Sequence, residues 1–429
     1  MTRSRHNEAA LYRIRVIDAS TVLAGPLIGT LLGDFGADVI KVEHPSGDSL
    51  RDFGRKKDGK PLWWKVVNRN KRCITLDLKQ PAGQEAFRKL AATADILIEN
   101  FRTGTMASWG LGADALSAIN PRLIVVSVTG FGQTGPYARR PGFGTLAEAF
   151  SGFAHVTGQP DGPPTLPPIG LADSVAGLFG TFAAMFALYD RDANGAGRGQ
   201  RIDVSLYEPL FSMLGALATT YSLTGDIPQR MGNRSANSAP RNTYQTSDGR
   251  WVAVAATTPS IVKRVLTLTG GVELAADPRF ATAEDRLANS LEIDRVVSQW
   301  IGRHTLAEVI GSFDAVEAAI APVNDIAQIL DDPQYQARGD IIDVPDVEFG
   351  SVKMQNAFPF LSRTPGTIRF AGPPKGHHNR DVLIDDLNLP EDLLARLASE
   401  GVVIDGQDEA ESEGSGLADP APVSPDPMP

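Results

Sequence analysis

The chain has 429 residues, 42% of them hydrophobic, which is ample for a sizeable core and points to two domains. Its formal charge of −10 is concentrated at one end: residues 405–429 hold seven acids and no Lys or Arg, so the body is close to neutral and carries no basic footprint for nucleic acid. The lone cysteine, Cys73, excludes an internal disulfide framework, no apolar run reaches the length of a membrane span, and MTRSRHNEAALYR lacks the apolar centre of a secretory signal. These features favour the cytoplasm and give no sign of a membrane partner.

After an N-terminal extension (1–13), Arg15–Pro45 reads as strand, short helix, strand. RVID is β-branched; Pro26 stands where a helix can begin; Leu27, Ile28, Leu31, Leu32 and Phe35 follow at helical spacing; Gly36 closes the helix. This predicts a βαβ unit and a parallel sheet. The turn Ala24-Gly25-Pro26-Leu27-Ile28-Gly29 does not match the G-x-G-x-x-G of a dinucleotide fold, which disfavours a dehydrogenase. Strands are predicted at 14–18, 39–43, 73–76, 96–99, 123–128 and 202–205, with helices near 83–94, 113–119 and 174–191, the alternation of a doubly wound α/β domain. Phe211–Leu223 reads as a further apolar helix and Gly225–Arg241 as a polar domain-boundary loop. A smaller α+β region follows, with a strand at 251–256 and helices to about Leu330. Residues 340–400 return to short strands and a final helix over 380–400. The acid-, Pro- and Ser-rich tail 405–429 has the composition of a disordered segment.

Several blocks occur in a characteristic order: NRNKRCITLDL (68–78), ADILIENFRTGTM (94–106), NPRLIVVSVTGFGQTGPY (120–137), SGFAHVTGQPDGPP (151–164), LADSVAG (171–177), GRGQRIDVSLYE (197–208), and DPRF (277–280) with Arg286 and Asn289 beyond it. Over roughly 14–400 the chain resembles the class III CoA-transferases, the group that contains formyl-CoA transferase and carnitine CoA-transferase and also the 2-methylacyl-CoA racemases. The resemblance implies a Rossmann-like large domain built from residues 14–224 and a C-terminal return over 331–404. A small domain with its linker is inserted at 225–330, and two chains interlock as a homodimer.

The resemblance also implies a transferase of sulfur-containing groups. CoA moves from an acyl-CoA donor to a carboxylic acid, with CoA as substrate and no permanently bound cofactor. Asp173 matches the aspartate on which this family forms covalent intermediates. Read on its own it is a helix N-cap. A carboxylate is ionised at neutral pH and needs no base to act as nucleophile. Attack on the donor thioester would give an aspartyl–acyl anhydride, and CoA thiolate would convert this into an aspartyl-CoA thioester. Asn70, Lys71 and Arg72 lie in the densest basic stretch of the chain and resemble the family's CoA-phosphate contact. Asn100, Phe101 and Arg102 end a strand at its carboxyl edge, where open α/β sheets bind ligands, and match a block that touches CoA. Val22, Leu23 and Ala24 match the loop beneath the pantetheine arm, and Arg140 lies near a basic contact used by some members.

Two departures stand out. Phe143 occupies the place of the racemases' catalytic His, and a hydrocarbon ring cannot exchange a proton at an α-carbon. Gly144 replaces an acidic residue of several transferases, with Glu148 one turn later as a substitute. The glycine-run loop of the formyl-CoA enzyme is not visible, so formate and oxalate are not implied. The alternatives are a racemase or other CoA-ester isomerase on this fold and a non-catalytic acyl-CoA-binding protein. His377-His378 has no Cys or acidic partner at ligand spacing, so no metal site is expected. Asn233, Arg234 and Arg241 are candidates to meet an acceptor carboxylate.

Overall fold

A computed structural model describes residues 9–404. The acidic tail, and all of the N-terminal extension but its last five residues, lie outside this range. The chain forms two compact units. Of the described residues, one comprises 9–141, Asp173–Ser205 and 343–404; the other comprises Gly142–Ala172 and Leu206–Ile342. These divisions differ from the sequence-based boundaries at 225 and 331.

The first unit is built on six strands: β1 (Arg15–Asp18), β2 (Asp38–Glu43), β3 (Lys71–Thr75), β4 (Ile96–Glu99), β5 (Ile124–Thr129) and β6 (Arg201–Ser205). All pair in parallel in the order β3-β2-β1-β4-β5-β6. This is a doubly wound sheet whose order reverses between β1 and β4. Its inner strands β4 (ILIE) and β5 (IVVSVT) are nearly continuous apolar runs because both faces are covered there. On one face, α1 (Ala24–Asp34) lies under β1 and β2, with Ile28 and Leu32 fully buried. On the other, α2 (Pro81–Ala92) and α3 (Ala113–Ile119) meet Ile17, Ile40, Ile74 and Leu97 through Phe87, Leu90 and Leu116.

The C-terminal segment completes that second core. Val382, Leu383, Leu397 and Val402 are all buried in it. Polar ties fix the segment: His378 N donates to Cys73 O (2.9 Å), Asn379 Oδ1 accepts from Thr75 N (2.8 Å), and Trp64 Nε1 donates to Pro373 O (2.7 Å). The helix expected over 380–400 is two pieces, a wide turn at Asp381–Asp386 and Glu391–Ser399, because Pro390 interrupts it.

The long helix α4 (Leu171–Asp192) belongs to the first unit from Asp173 onward. Its small residues pack closely. A Cβ at Gly177 would stand 2.9 Å from Leu27 Cδ2 and 3.1 Å from the Ala24 carbonyl; one at Gly180 would stand 2.5 Å from Ile28 Cδ1. The glycines therefore set the distance of α4 from α1. Contrary to the expectation that no run reaches span length, α4 is by length and composition apolar enough to cross a membrane, although 44% of its apolar window is buried inside the protein. Its outward face exposes Leu178, Phe182, Phe186 and Tyr189.

In the second unit, three antiparallel strands, β7 (Arg241–Gln245), β8 (Trp251–Ala255) and β9 (Ile320–Pro322), run in the order β9-β8-β7. Helices Pro259–Ala275, Ser290–Ile301 and Leu306–Ala315 cover them through Val265, Ile293, Val297, Val309 and Phe313. The apolar helix expected over 211–223 is instead two short helices, Tyr207–Ser212 and Leu217–Thr224. DPRF forms a single tight turn. Asp277 accepts from Arg279 N, while Arg286 and Asn289 reach back to the carbonyls of Phe280 and Arg279. Asn233, Arg234 and Arg241 are tied to their own loop: Arg241 Nη1 donates to the carbonyls of Asn233 and Arg234, both at 3.1 Å.

Candidate active site at the carboxyl edge of the parallel sheet

The six parallel strands share one polarity, so the sheet has an amino edge and a carboxyl edge. The basic cluster lies at the amino edge. β3 begins at Lys71, level with Val39, and ends at Thr75, level with Glu43. Asn70 sits just before it in a left-handed conformation (φ 61°). Its amide donates to Asp34 Oδ1 and Thr367 O, and its Oδ1 accepts from Arg369 N. Arg72 forms ion pairs of 2.7 Å with Asp38 and Asp386. Lys71 is fully buried; its Nζ is 2.8 Å from Asp18 Oδ2 and also donates to Pro26 O and Asn68 Oδ1. Burial lowers the Lys71 pKa against the pull of Asp18. The expectation that these three side chains hold CoA phosphates is therefore corrected. All three are consumed by internal partners and none is offered to a ligand.

The carboxyl edge carries an open cleft. Thr21, His44, Asp48, Asp77, Lys79 and Phe101 line it, all within a few residues of the ends of β1, β2, β3 and β4. It thus spans the switch point at which open α/β sheets take their ligands. Ser46 N–H donates to His44 Nδ1 (3.1 Å), and His44 Nε2 stands 3.7 Å from Asp77 Oδ1. Burial acts to raise the Asp77 pKa, but the Lys79 N–H and the Gln80 amide outweigh it and hold the carboxyl below its ordinary range. Phe101 meets Trp109 edge to face at 5.2 Å. Arg102 is exposed beside the cleft residue Phe101.

The loop that leads from β1 into α1 is held by side chains. Asn100 brackets Thr21 on both sides: Thr21 N donates to Asn100 Oδ1 and Asn100 Nδ2 donates to Thr21 O, each at 2.8 Å. Val22 is left-handed at φ 65°, and its N–H donates to Asp48 Oδ1 (3.1 Å). Leu23 and Ala24 then open α1. A Cβ on Gly25 would fall 2.4 Å from Ser20 Cβ, so only glycine permits this tight entry.

Asp173 is the third residue of α4 rather than its N-cap. The buried Glu148 takes the capping role from outside the helix, its Oε1 accepting from Leu171 N (3.0 Å) and Ala172 N (3.2 Å). Asp173 and Gly177 lie one turn apart on one face. Gly177 abuts Ala24 and Leu27 while Gly180 abuts Ile28, so α4 and α1 advance in the same sense. The turn before Gly177, which bears Asp173, therefore stands toward Val22 and Leu23 at the carboxyl edge. Arg140 is exposed and stacks on Tyr137 at 3.7 Å. Phe143 is 68% exposed. Sequence reasoning missed His44, Asp77 and Lys79. The rule applied to Asn100–Arg102, that the residues just past a strand face the ligand, would have found them.

The chain is 42% identical over 392 residues to succinyl-CoA–D-citramalate CoA-transferase of Chloroflexus aurantiacus, covering 91% of this chain and 97% of that protein. It is 35% identical to succinate–glutarate CoA-transferase of Agrobacterium fabrum, covering 90% and 98%. The crystal structure of a CAIB/BAIF family protein from Brucella suis superposes with a TM-score of 0.79 at 34% identity, covering 89% of this chain and all of that one. Residues 11–379 match CoA-transferase family III, and the chain belongs to that family.

Proposed function

We propose that the chain moves CoA from an acyl-CoA donor to a carboxylic acid acceptor with Asp173 as covalent nucleophile. The position of Asp173 in the first turn of α4, toward the strained loop Val22–Ala24, carries this reading. The nucleotide end of CoA occupies the cleft, where Lys79 and the exposed Arg102 supply cations and Phe101 an apolar wall. The pantetheine arm crosses Val22, Leu23 and Ala24 toward Asp173, and Asn100 keeps that loop in place. Arg140 is a further cation available to the phosphates.

An Asp173 carboxylate oxygen attacks the thioester carbonyl carbon. The C–S bond breaks, and CoA leaves as thiolate from an aspartyl–acyl anhydride. The thiolate attacks the Asp173 carbonyl carbon, the anhydride C–O bond breaks, and the donor acid departs as carboxylate. The acceptor carboxylate then displaces the thiolate from aspartyl-CoA to give a second anhydride. Attack of the thiolate on its acceptor carbonyl releases the new thioester and regenerates Asp173. Two easier exchanges replace one hard one.

Succinyl-CoA is the first donor to test and four- or five-carbon dicarboxylates the first acceptors, because relatives carry these acids in their names. The exposed stripe Leu178, Phe182, Phe186 and Tyr189 fits burial against a second copy in an interlocked homodimer, which sedimentation would detect. We place the enzyme in the cytoplasm with its CoA thioesters.

The test is mass spectrometry of the protein mixed with succinyl-CoA, looking for a CoA adduct on Asp173. Asp173→Ala should lose roughly 10⁶-fold in turnover, the scale of deleting a covalent nucleophile. Undiminished exchange in that variant removes Asp173 from the mechanism.

A further inference from the structure

Val22 is a β-branched residue in the left-handed region, where such side chains are rarely found. Something must hold it there. Its N–H is bound by Asp48 Oδ1, which also accepts from Leu50 N (2.9 Å). The other oxygen, Asp48 Oδ2, lies 3.0 Å from Lys41 Nζ. Asp48 and Lys41 are both buried. Lys41 also donates to the Ser20 carbonyl, two residues before Val22. Burial acts to lower the Lys41 pKa, but Asp18, Asp48 and Glu43 outweigh it, so the lysine stays charged. The backbone of Asp48 is anchored in turn, since its N–H donates to Glu43 Oε2 (3.1 Å), and Glu43 is gripped by Arg51 through two 2.7 Å bonds. A chain of fixed charges therefore runs from Arg51 to the Val22 peptide, and Asn100 pins the preceding residue independently.

We infer that Asp48 is a positioning residue for the transfer reaction: it fixes Val22 in its left-handed conformation and so holds the Val22–Ala24 loop at the height that aligns the thioester with Asp173. This inference rests on the CoA-transfer reading above. Asp48 acts through the backbone of Val22 and not on the reacting atoms. Without its carboxylate, Val22 relaxes toward the extended region and the loop shifts. A shift of about 1 Å at a reacting centre costs on the order of a hundredfold in rate.

The experiment compares wild type, Asp48→Ala and the double variant Asp48→Ala/Val22→Gly. The assay is kcat for succinyl-CoA-dependent exchange, with the CoA dissociation constant and Tm measured alongside. Glycine takes a positive φ without help. The inference expects kcat of Asp48→Ala to fall about a hundredfold with a much smaller change in CoA affinity, and the added glycine to restore about tenfold or more. A purely structural role would lower Tm and activity together with no recovery from glycine, and that result overturns the inference. Should Asp48→Ala fail to fold, Val22→Pro substitutes for it, because proline fixes φ near −65° and removes the N–H. A folded Val22→Pro with wild-type kcat overturns the inference; a hundredfold loss supports it. A wild-type protein that binds no CoA overturns the transfer reading itself, whereas a wild type that exchanges CoA and is indifferent to Asp48→Ala overturns this inference alone.

Discussion

The two edges of the parallel sheet use charge in opposite ways. At the amino edge, Arg15, Arg72, Asp38 and Asp386 form an ion-pair knot, and Arg69 and Asn70 close on Asp34. Every one of those groups faces another part of the protein. At the carboxyl edge, Lys79 and His44 stand exposed at a cleft whose walls are held by buried neighbours. Density of basic residues thus says little about where an anion binds. Which end of the strand a residue occupies says more.

Substitutions can break this comparison. The largest effect on stability is expected at the buried pair. Lys71→Met leaves Asp18 facing Lys41 alone and should cost about 3–5 kcal/mol of stability, by denaturant unfolding. The CoA affinity of the protein that remains folded should not change. Lys79→Met should do the reverse, keeping stability while weakening CoA roughly tenfold to a hundredfold. That loss should shrink as salt screens the contact. If Lys71 proves to control affinity and Lys79 does not, the assignment of the two edges is wrong.

Two smaller effects sharpen it. Glu148→Ala removes the acceptor for two N–H groups at the start of α4 and should cost about 0.5–2 kcal/mol. It should also lower kcat, because Asp173 begins one residue later. Glu148→Gln keeps an acceptor oxygen and should recover much of both. Burial, His377 and Arg72 together depress the His378 pKa to about 3. The ring is held neutral, with Nδ1 accepting from Cys73 N (3.0 Å). The unfolded chain takes up this proton near pH 6.5, so the contribution of His378 is fully present above that value and is lost as pH falls toward about 3. A His378→Asn variant should show a shallower loss of stability across that window in urea titrations.

Much of the fold was legible in the sequence because β-branched runs such as RVID, DVIKVE and ILIE are local signals, and their alternation with helical spacing fixes a parallel sheet. Asp173 was legible through its block and not through its chemistry, since an acid opening a helix has a bland reading everywhere. NRNKR misled because its partners are remote in the chain: Asp386 lies 314 residues from Arg72. The cap on α4 was hidden for the same reason, as Glu148 is 23 residues from the N–H it binds. Span-length apolarity in α4 was overlooked because Asp173 and the closing Asp190-Arg191-Asp192 mask the window between them.

Val382, Leu383, Leu397 and Val402 join a core most of whose other members lie between Ile17 and Val125. Synthesis must therefore pass Val402 before one face of the sheet can be sealed. Until then its apolar strands stand open to chaperones and to one another. The second unit, encoded within that interval, has a core of its own and needs none of these late residues to fill it.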